Sequence, residues 1–244
     1  MGKIALTFDI DWANDLVLEE LISELEKYHV KATFFATHKT PVLSGLDKNK
    51  YEVGIHPNFN PLLSGNSKKN YKQIVDDILN DYPEAHGVRA HSLFQSGHIF
   101  LYYNEVGLRY DSNIFVENIH VPPIIHSGKY VRIPFFWEDD VFCINTGDFE
   151  FRPNILNLNG CSVFDFHPNL LYLNVENLAR YEKAKEKMHT IEDFAKYKNN
   201  YQDPGIRLYL SGLLDHIKRT NCETYLMKEI ADLSLLKYNN EINK

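Results

Sequence analysis

The 244-residue chain contains only three cysteines, Cys143, Cys161 and Cys222, widely separated and without a CxxC pair. An odd count at open spacing excludes a disulfide framework and a thiolate zinc site, and leaves the three thiols as packing residues. Basic charge is also scarce: 26 Lys and Arg against 33 Asp and Glu give a formal net charge of −7. Such a chain lacks the field that holds nucleic acid or an anionic membrane surface, so neither is an expected partner and a neutral or cationic small substrate fits better. No run approaches the ~18 apolar residues that a membrane span requires, and the opening MGKIALTFDID has no signal-type apolar stretch with a small-residue cleavage site. Neither membrane insertion nor export is expected, and the expected location is cytoplasmic. With no repeat, low-complexity tract or linker-like stretch, a single domain over 1–244 is the expectation.

What the chain does contain is the composition of a soluble globular protein, 44% hydrophobic and 24% charged. β-rich runs at 3–8, 31–37, 51–55, 87–90, 130–136, 141–145 and 161–166 alternate with helical patterns at 15–28, 70–83 and 96–107. Alternation of this kind favours parallel strands with crossover helices, here a distorted (β/α) barrel over a core of residues 3–170. Past residue 173 the chain reads as charged helices broken by NNYQDPG, so 171–244 is expected to be a helical part packed on the barrel.

Four strand ends carry chemistry. In LTFDIDWAND, Asp9 and Asp11 lie two apart. On an extended strand they would share one face with Cα atoms ~6.5 Å apart, a pairing that calls for a proton, an arginine or a metal between the carboxylates. A helix cap at Asp11 with a solvated Asp9 is the competing reading. EVGIHPNFNP ends a strand in His56 and places Asn60 four residues on, each held extended by a following proline. GVRAHSLFQS brings Arg89 and His91, the first suited to neutralising Asp9 and the second to completing a metal set. VFDFHPNLLYLN brings Asp165 and His167 on one face. Singly, each His reads as well as a packed or capping imidazole. Together, four ends delivering acid, imidazole or guanidinium to one barrel rim favour an enzyme, and imidazole with carboxylate suits zinc or a similar divalent cation. Trp12 and Trp137 are candidates for a sugar-stacking surface, against the commoner role of aromatics in a core.

The order TFDID, KATFF, GIHPNFN, GVRAHS and FDFHP resembles the successive motifs of polysaccharide deacetylases, the NodB-homology group or carbohydrate esterase family 4, from about residue 6 to residue 167. Within that group, TFD-x-DWA, HPNF, RAHSL and FDFHPN look most like the WbmS-like deacetylases of bacterial surface-polysaccharide (O-antigen) synthesis. The resemblance implies a seven-stranded, TIM-like distorted barrel that removes acetyl groups from sugars with the help of a divalent metal. By the same resemblance, Asp9 matches the catalytic base, Asp11 and His56 match metal ligands, Arg89 the arginine that holds the base, and His167 the general acid. Asp139 or Asp140, in FWEDD, matches the aspartate that orients the acid. Where relatives place a second metal-binding histidine, four residues after His56, this chain has Asn60; His91 and water compete with it for the third position. The implied cofactor is Zn2+ and the implied partner a carbohydrate. Two alternatives stand beside this reading: hydrolysis of another non-peptide C–N bond, and an inactive barrel kept for carbohydrate binding.

Overall fold

Nine strands form one curled sheet in a computed structural model that describes residues 2–145 and 147–243. They are β1 (Lys3–Asp9), β2 (Ala32–Ala36), β3 (Tyr51–Ile55), β4 (Gly87–Val88), β5 (Tyr110–Asp111), β6 (Ile124–His126), β7 (Tyr130–Arg132), β8 (Trp137–Glu138) and β9 (Cys161–Phe166). Their spatial order is β6-β7-β5-β4-β3-β2-β1-β9-β8, and every neighbouring pair is parallel except β6 with β7. β7 and β8 are two ends of one extended segment, 130–138. Its start pairs with β5 and its end with β9, while Phe135 bridges Phe115 and the Phe136 N–H donates to the Val163 carbonyl. That segment joins the two margins of the sheet. Counted as one strand it makes the expected seven-stranded, distorted (β/α) barrel, with β6 as an antiparallel appendage.

Alternation along each strand sorts the side chains into two layers. Leu6 and Phe8 of β1 and Phe164 and Phe166 of β9 join the core between strands and helices. Ala5 and Val163 face the other way, with Phe35, Tyr110, Val131 and Phe135, into a second apolar cluster inside the barrel. Thr7, Asp9 and Asp165 continue this inner face upward, so polar groups occupy the C-terminal end of the bore, above its apolar middle. Outside, the helix Asp15–Tyr28 starts on an Asn14 side chain that accepts from the Leu16 N–H and buries the stripe Val17, Leu18, Leu21 and Leu25.

The helix Met227–Ile242 stops the opposite end of the bore. Met227 belongs to the inner cluster; its N–H donates to Thr33 Oγ1 (3.0 Å) and the Lys228 N–H to Glu52 Oε2 (2.9 Å). One expected strand is absent: 141–145 belongs to the helix Asp139–Asn145. Once 137–138 has paired with β9 the sheet offers no further edge there, and Asp139 and Asp140 suit a helix first turn. Among the described residues, no helix is long and apolar enough to cross a membrane.

Candidate active site

The site occupies the barrel rim at the C-terminal ends of the strands, where each connecting loop is shaped to return a side chain over the bore. β1 ends at Asp9, and Asp11 is not on the strand as expected. The chain turns at Asp11 (φ 38°) and Trp12 (φ 55°), both left-handed, with the Ala13 N–H closing onto the Ile10 carbonyl (2.7 Å). The carboxylate of Asp11 therefore reaches the rim by a turn rather than by strand periodicity. His56 prolongs β3, its N–H donating to the Ala36 carbonyl (2.8 Å), and the His91 N–H donates to the Pro57 carbonyl (3.0 Å), which ties the two imidazole-bearing loops together. Left-handed Ser92 and Leu93 turn the chain back immediately after His91.

Three ligand-type atoms converge. Asp11 Oδ1 lies 3.3 Å from His56 Nε2 and 3.0 Å from His91 Nδ1, and the two nitrogens are 3.2 Å apart. Atoms each ~2.1 Å from one ion stand ~3.0–3.4 Å from one another, so the triangle has the dimensions of a divalent-metal donor set. Asp11 Oδ1 is buried and no N–H is aimed at it in hydrogen-bond geometry, despite the short separations. A carboxylate oxygen orphaned between two imidazoles fits a cation better than it fits a finished hydrogen-bond network. Burial would raise the Asp11 carboxyl, but His56, His91 and the charge of His167 overcome it and hold it well below the usual carboxylate range. His56 is also shifted: burial lowers it, while Asp9 and Asp11 raise it further, for a net increase. The free Nδ1 of His56 lies 3.5 Å from Asp9 Oδ2, in the place of an outer carboxylate behind a ligand histidine.

On one side of the triangle, Arg89 fills the bore. Wholly buried, its guanidinium carbon stands 4.6 Å from the Phe35 ring centroid and 4.4 Å from that of Phe135. Nη1 donates to Asp9 Oδ1 (3.0 Å) and Thr7 Oγ1 (2.9 Å) and closely to Asp165 Oδ1; Nε and Nη2 bond the carbonyl and hydroxyl of Ser112 (3.1 and 2.9 Å). Two carboxylates thus share one cation. Burial pushes Asp165 up to about 8, Arg89 only partly opposing it. On the other side, His167 opens the helix Pro168–Leu173 and is held by Asp139, which accepts from His167 Nδ1 (2.6 Å) and from the His167 N–H (2.7 Å). Asp139 is wholly buried. Burial lowers the imidazole, but Asp139 and then Asp11 outweigh it and hold His167 well above the ordinary histidine range. Its Nε2 faces the triangle, 3.8 Å from Asp11 Oδ2.

Two expected site residues are not brought into this arrangement. Asn60 is exposed and its amide donates to Ser92 Oγ (3.1 Å), so the third converging donor comes from His91. Trp137 points outward from the barrel, 4% exposed, stacked on Tyr209 at 4.5 Å and flanked by Phe166. It is a core residue with no ring face for a sugar. Trp12 does sit at the rim, 36% exposed and edge-on to the His91 ring at 5.2 Å. Of the further partners of Arg89, Asp165 is the acid expected beside His167 on one strand face, whereas Thr7 and Ser112 lie outside the expected set. Thr7 is signalled by its two-residue spacing from Asp9; Ser112 carries no signal in the sequence.

A (β/α) barrel whose strand ends bring carboxylates, imidazoles and one buried guanidinium to a common rim has the architecture of a hydrolase. The chain matches the family described as WbmS-like polysaccharide deacetylase over residues 6–185, and it belongs to that family. It is 41% identical, with a TM-score of 0.81, to a Bordetella bronchiseptica protein assigned as a polysaccharide deacetylase involved in O-antigen biosynthesis; the alignment covers 88% of this chain and 90% of that one. A family 4 acetyl xylan esterase from Clostridium thermocellum, solved with a cobalt ion, shares the fold at 14% identity (TM-score 0.50; 95% and 91% of the two chains). So does a 4-alpha-glucanotransferase from Thermococcus litoralis at 14% identity (TM-score 0.52; 95% of this chain, 38% of that one). Among curated proteins none matches.

Proposed function

We propose that the protein is a divalent-metal-dependent deacetylase acting on an N-acetylated sugar or saccharide intermediate of bacterial surface-polysaccharide synthesis, in the cytoplasm, with 1–244 working as one domain. The observation that carries this reading is the Asp11, His56, His91 triangle set between two proton-handling pairs, Asp9 with Arg89 and His167 with Asp139. Two imidazoles and a carboxylate favour zinc. When bound there, the ion supplies Lewis-acid activation of water and of the amide carbonyl.

The chain's own groups do the rest. Arg89 holds the Asp9 carboxylate through Oδ1, and Asp9 is the base assigned to the proton of the attacking water. His167 carries a proton on each nitrogen, and its Nε2 gives one to the departing sugar nitrogen, a poor leaving group until protonated. Asp139 fixes the ring and its Nδ1 proton. Trp12, exposed beside His91, is the side chain suited to lie against the sugar.

Elemental analysis and acetate release test this together. The purified chain should hold about one zinc-type ion in a three-donor site, release acetate from N-acetylated sugars, and lose that activity with chelator and regain it with metal. Asp9→Asn should keep the ion and lose at least ~100-fold in kcat; unchanged turnover refutes the base assignment. A chain that holds no metal and releases no acetate, yet binds sugar, is a binding barrel.

A further inference from the structure

The helix Leu178–Ala184 lies beyond the last strand, and it returns one polar side chain to the rim. Tyr181 packs its half-buried ring against the main core. Its hydroxyl lies beside the Asn169 amide and within electrostatic reach of the Asp11 carboxylate and the His167 ring. Asn169, 1% exposed on the helix that His167 opens, ties this corner to the site: its Nδ2 donates to the Asp11 carbonyl (3.1 Å). Tyr181 therefore stands where Asp11 and His167 approach each other, with His167 Nε2 3.8 Å from Asp11 Oδ2.

The phenol is an unspent donor. Asn169 Oδ1 stays buried without a partner, so Tyr181 does not give its proton to that amide, and no other described residue accepts it. Burial and then the Asp11 charge push the hydroxyl up to about 12, which keeps the proton in place through neutral pH. The other groups of the site are committed. Arg89 spends Nε, Nη1 and Nη2 inside the bore. In the proposed reaction Asp9 takes a proton from water and His167 gives one to the leaving nitrogen. None of the three donates to the acyl oxygen, on which negative charge grows as the carbonyl is attacked. A positioned neutral donor meets that charge without reorganisation.

Building on the deacetylase reading, we infer that Tyr181 is a further catalytic residue: its hydroxyl donates a hydrogen bond to the acyl oxygen of the acetamide, a bond that strengthens as the tetrahedral oxyanion forms. The part of the chain that follows the barrel strands thus supplies one group of the active site.

The test reads turnover and binding in the metal-loaded full-length chain, with acetohydroxamate, a small acyl anion, as the probe of the oxyanion position. In Tyr181→Phe, kcat for acetate release should fall ~100-fold, the usual loss for one oxyanion donor, with KM and bound metal unchanged. Acetohydroxamate should bind that variant about tenfold more weakly, the worth of one hydrogen bond to a charged group. A ring-fluorinated tyrosine in place of Tyr181 keeps the hydroxyl and makes it a stronger donor, so it should tighten binding of the probe. Thermal unfolding reports whether each chain is folded. Unchanged kcat or unchanged probe affinity in folded Tyr181→Phe overturns the assignment and leaves the phenol a packing group beside Asn169, as does a probe indifferent to fluorination. Binding is read without turnover, so a parent that releases no acetate yet holds the probe through Tyr181 would refute the deacetylase reading and leave the donor standing.

Discussion

Asp139→Asn is the change that most directly probes the acid side of the site. The carboxylate of Asp139 accepts two hydrogen bonds at once, from Nδ1 and from the backbone N–H of His167. An amide of the same shape has one acceptor oxygen. One of the two donors must then face an NH2 group in a fully buried position, which costs about 1–3 kcal/mol of stability. The electrostatic effect is larger. Charges ~4 Å apart at an effective dielectric of ~20 interact by about 4 kcal/mol, all of it favouring the imidazolium. With the anion gone, burial is the dominant influence on His167 and its pKa falls. In the parent the raised pKa keeps the imidazole protonated through neutral pH, so kcat should hold there and decline only when alkali removes that proton. In Asp139→Asn the alkaline limb should move to lower pH, with kcat at pH 8 reduced ~100- to 10,000-fold, the usual worth of a general acid. KM and bound metal should change little. The assay is acetate release across pH 5–10 with metal content measured in parallel. An alkaline limb that stays in place, with kcat within a few-fold of the parent, would refute both the acid role of His167 and the support role of Asp139.

How much of this site could be read beforehand follows from which features are local. Strand period two describes why Thr7 and Ala5 share a face with Asp9, and Val163 with Asp165, because β1 and β9 are regular and paired along their length, although only Asp9 and Asp165 are marked by their chemistry in the sequence. His56 and His167 were legible as strand-end residues held by a following proline. Asp11 was placed correctly at the rim for the wrong reason. No periodicity describes two successive left-handed residues, and it is the turn they make that carries Asp11 Oδ1 to within 3.3 Å of His56 Nε2. The choice between Asn60 and His91 was not legible either. It depends on the Pro57 carbonyl accepting from the His91 N–H, a contact between loops 34 residues apart in sequence. Trp137 failed for a simpler reason: Glu138 pairs with Asp165 and faces inward, so Trp137 must face the helices, where Tyr209 from the distant C-terminal part covers it. The closure of the barrel by 130–138 was equally hidden, since its two halves pair with strands on opposite sides.

Three further outcomes follow from the same contacts. His91→Ala should lower metal affinity at least ~10-fold by removing one of three converging donors, whereas Asn60→Ala, at an exposed position, should stay within ~0.5 kcal/mol of the parent in stability and keep its ion; elemental analysis after dialysis separates the two, and the reverse ranking would give the third position to Asn60. Arg89→Met leaves Asp9 and Asp165 facing each other across a bore with no cation, and loss of one partner from a buried pair costs about 3–5 kcal/mol; urea unfolding measures it, and a loss below ~1 kcal/mol would mean that the paired carboxylates are solvated after all. Asp165 supplies the pH test of stability. Its carboxyl is pushed up to about 8 in the fold, above its unfolded value near 3.9, so the native state holds a proton that the unfolded chain has released. The resulting contribution is fully present below the unfolded pKa and is lost as pH rises through about 8. Asp165→Asn fixes the neutral form while keeping an oxygen for Arg89 and Thr7, so its Tm relative to the parent should improve steadily between pH 6 and pH 9; a difference that does not change with pH would show that Asp165 is ionised in the folded protein and that Arg89 balances both carboxylates alone.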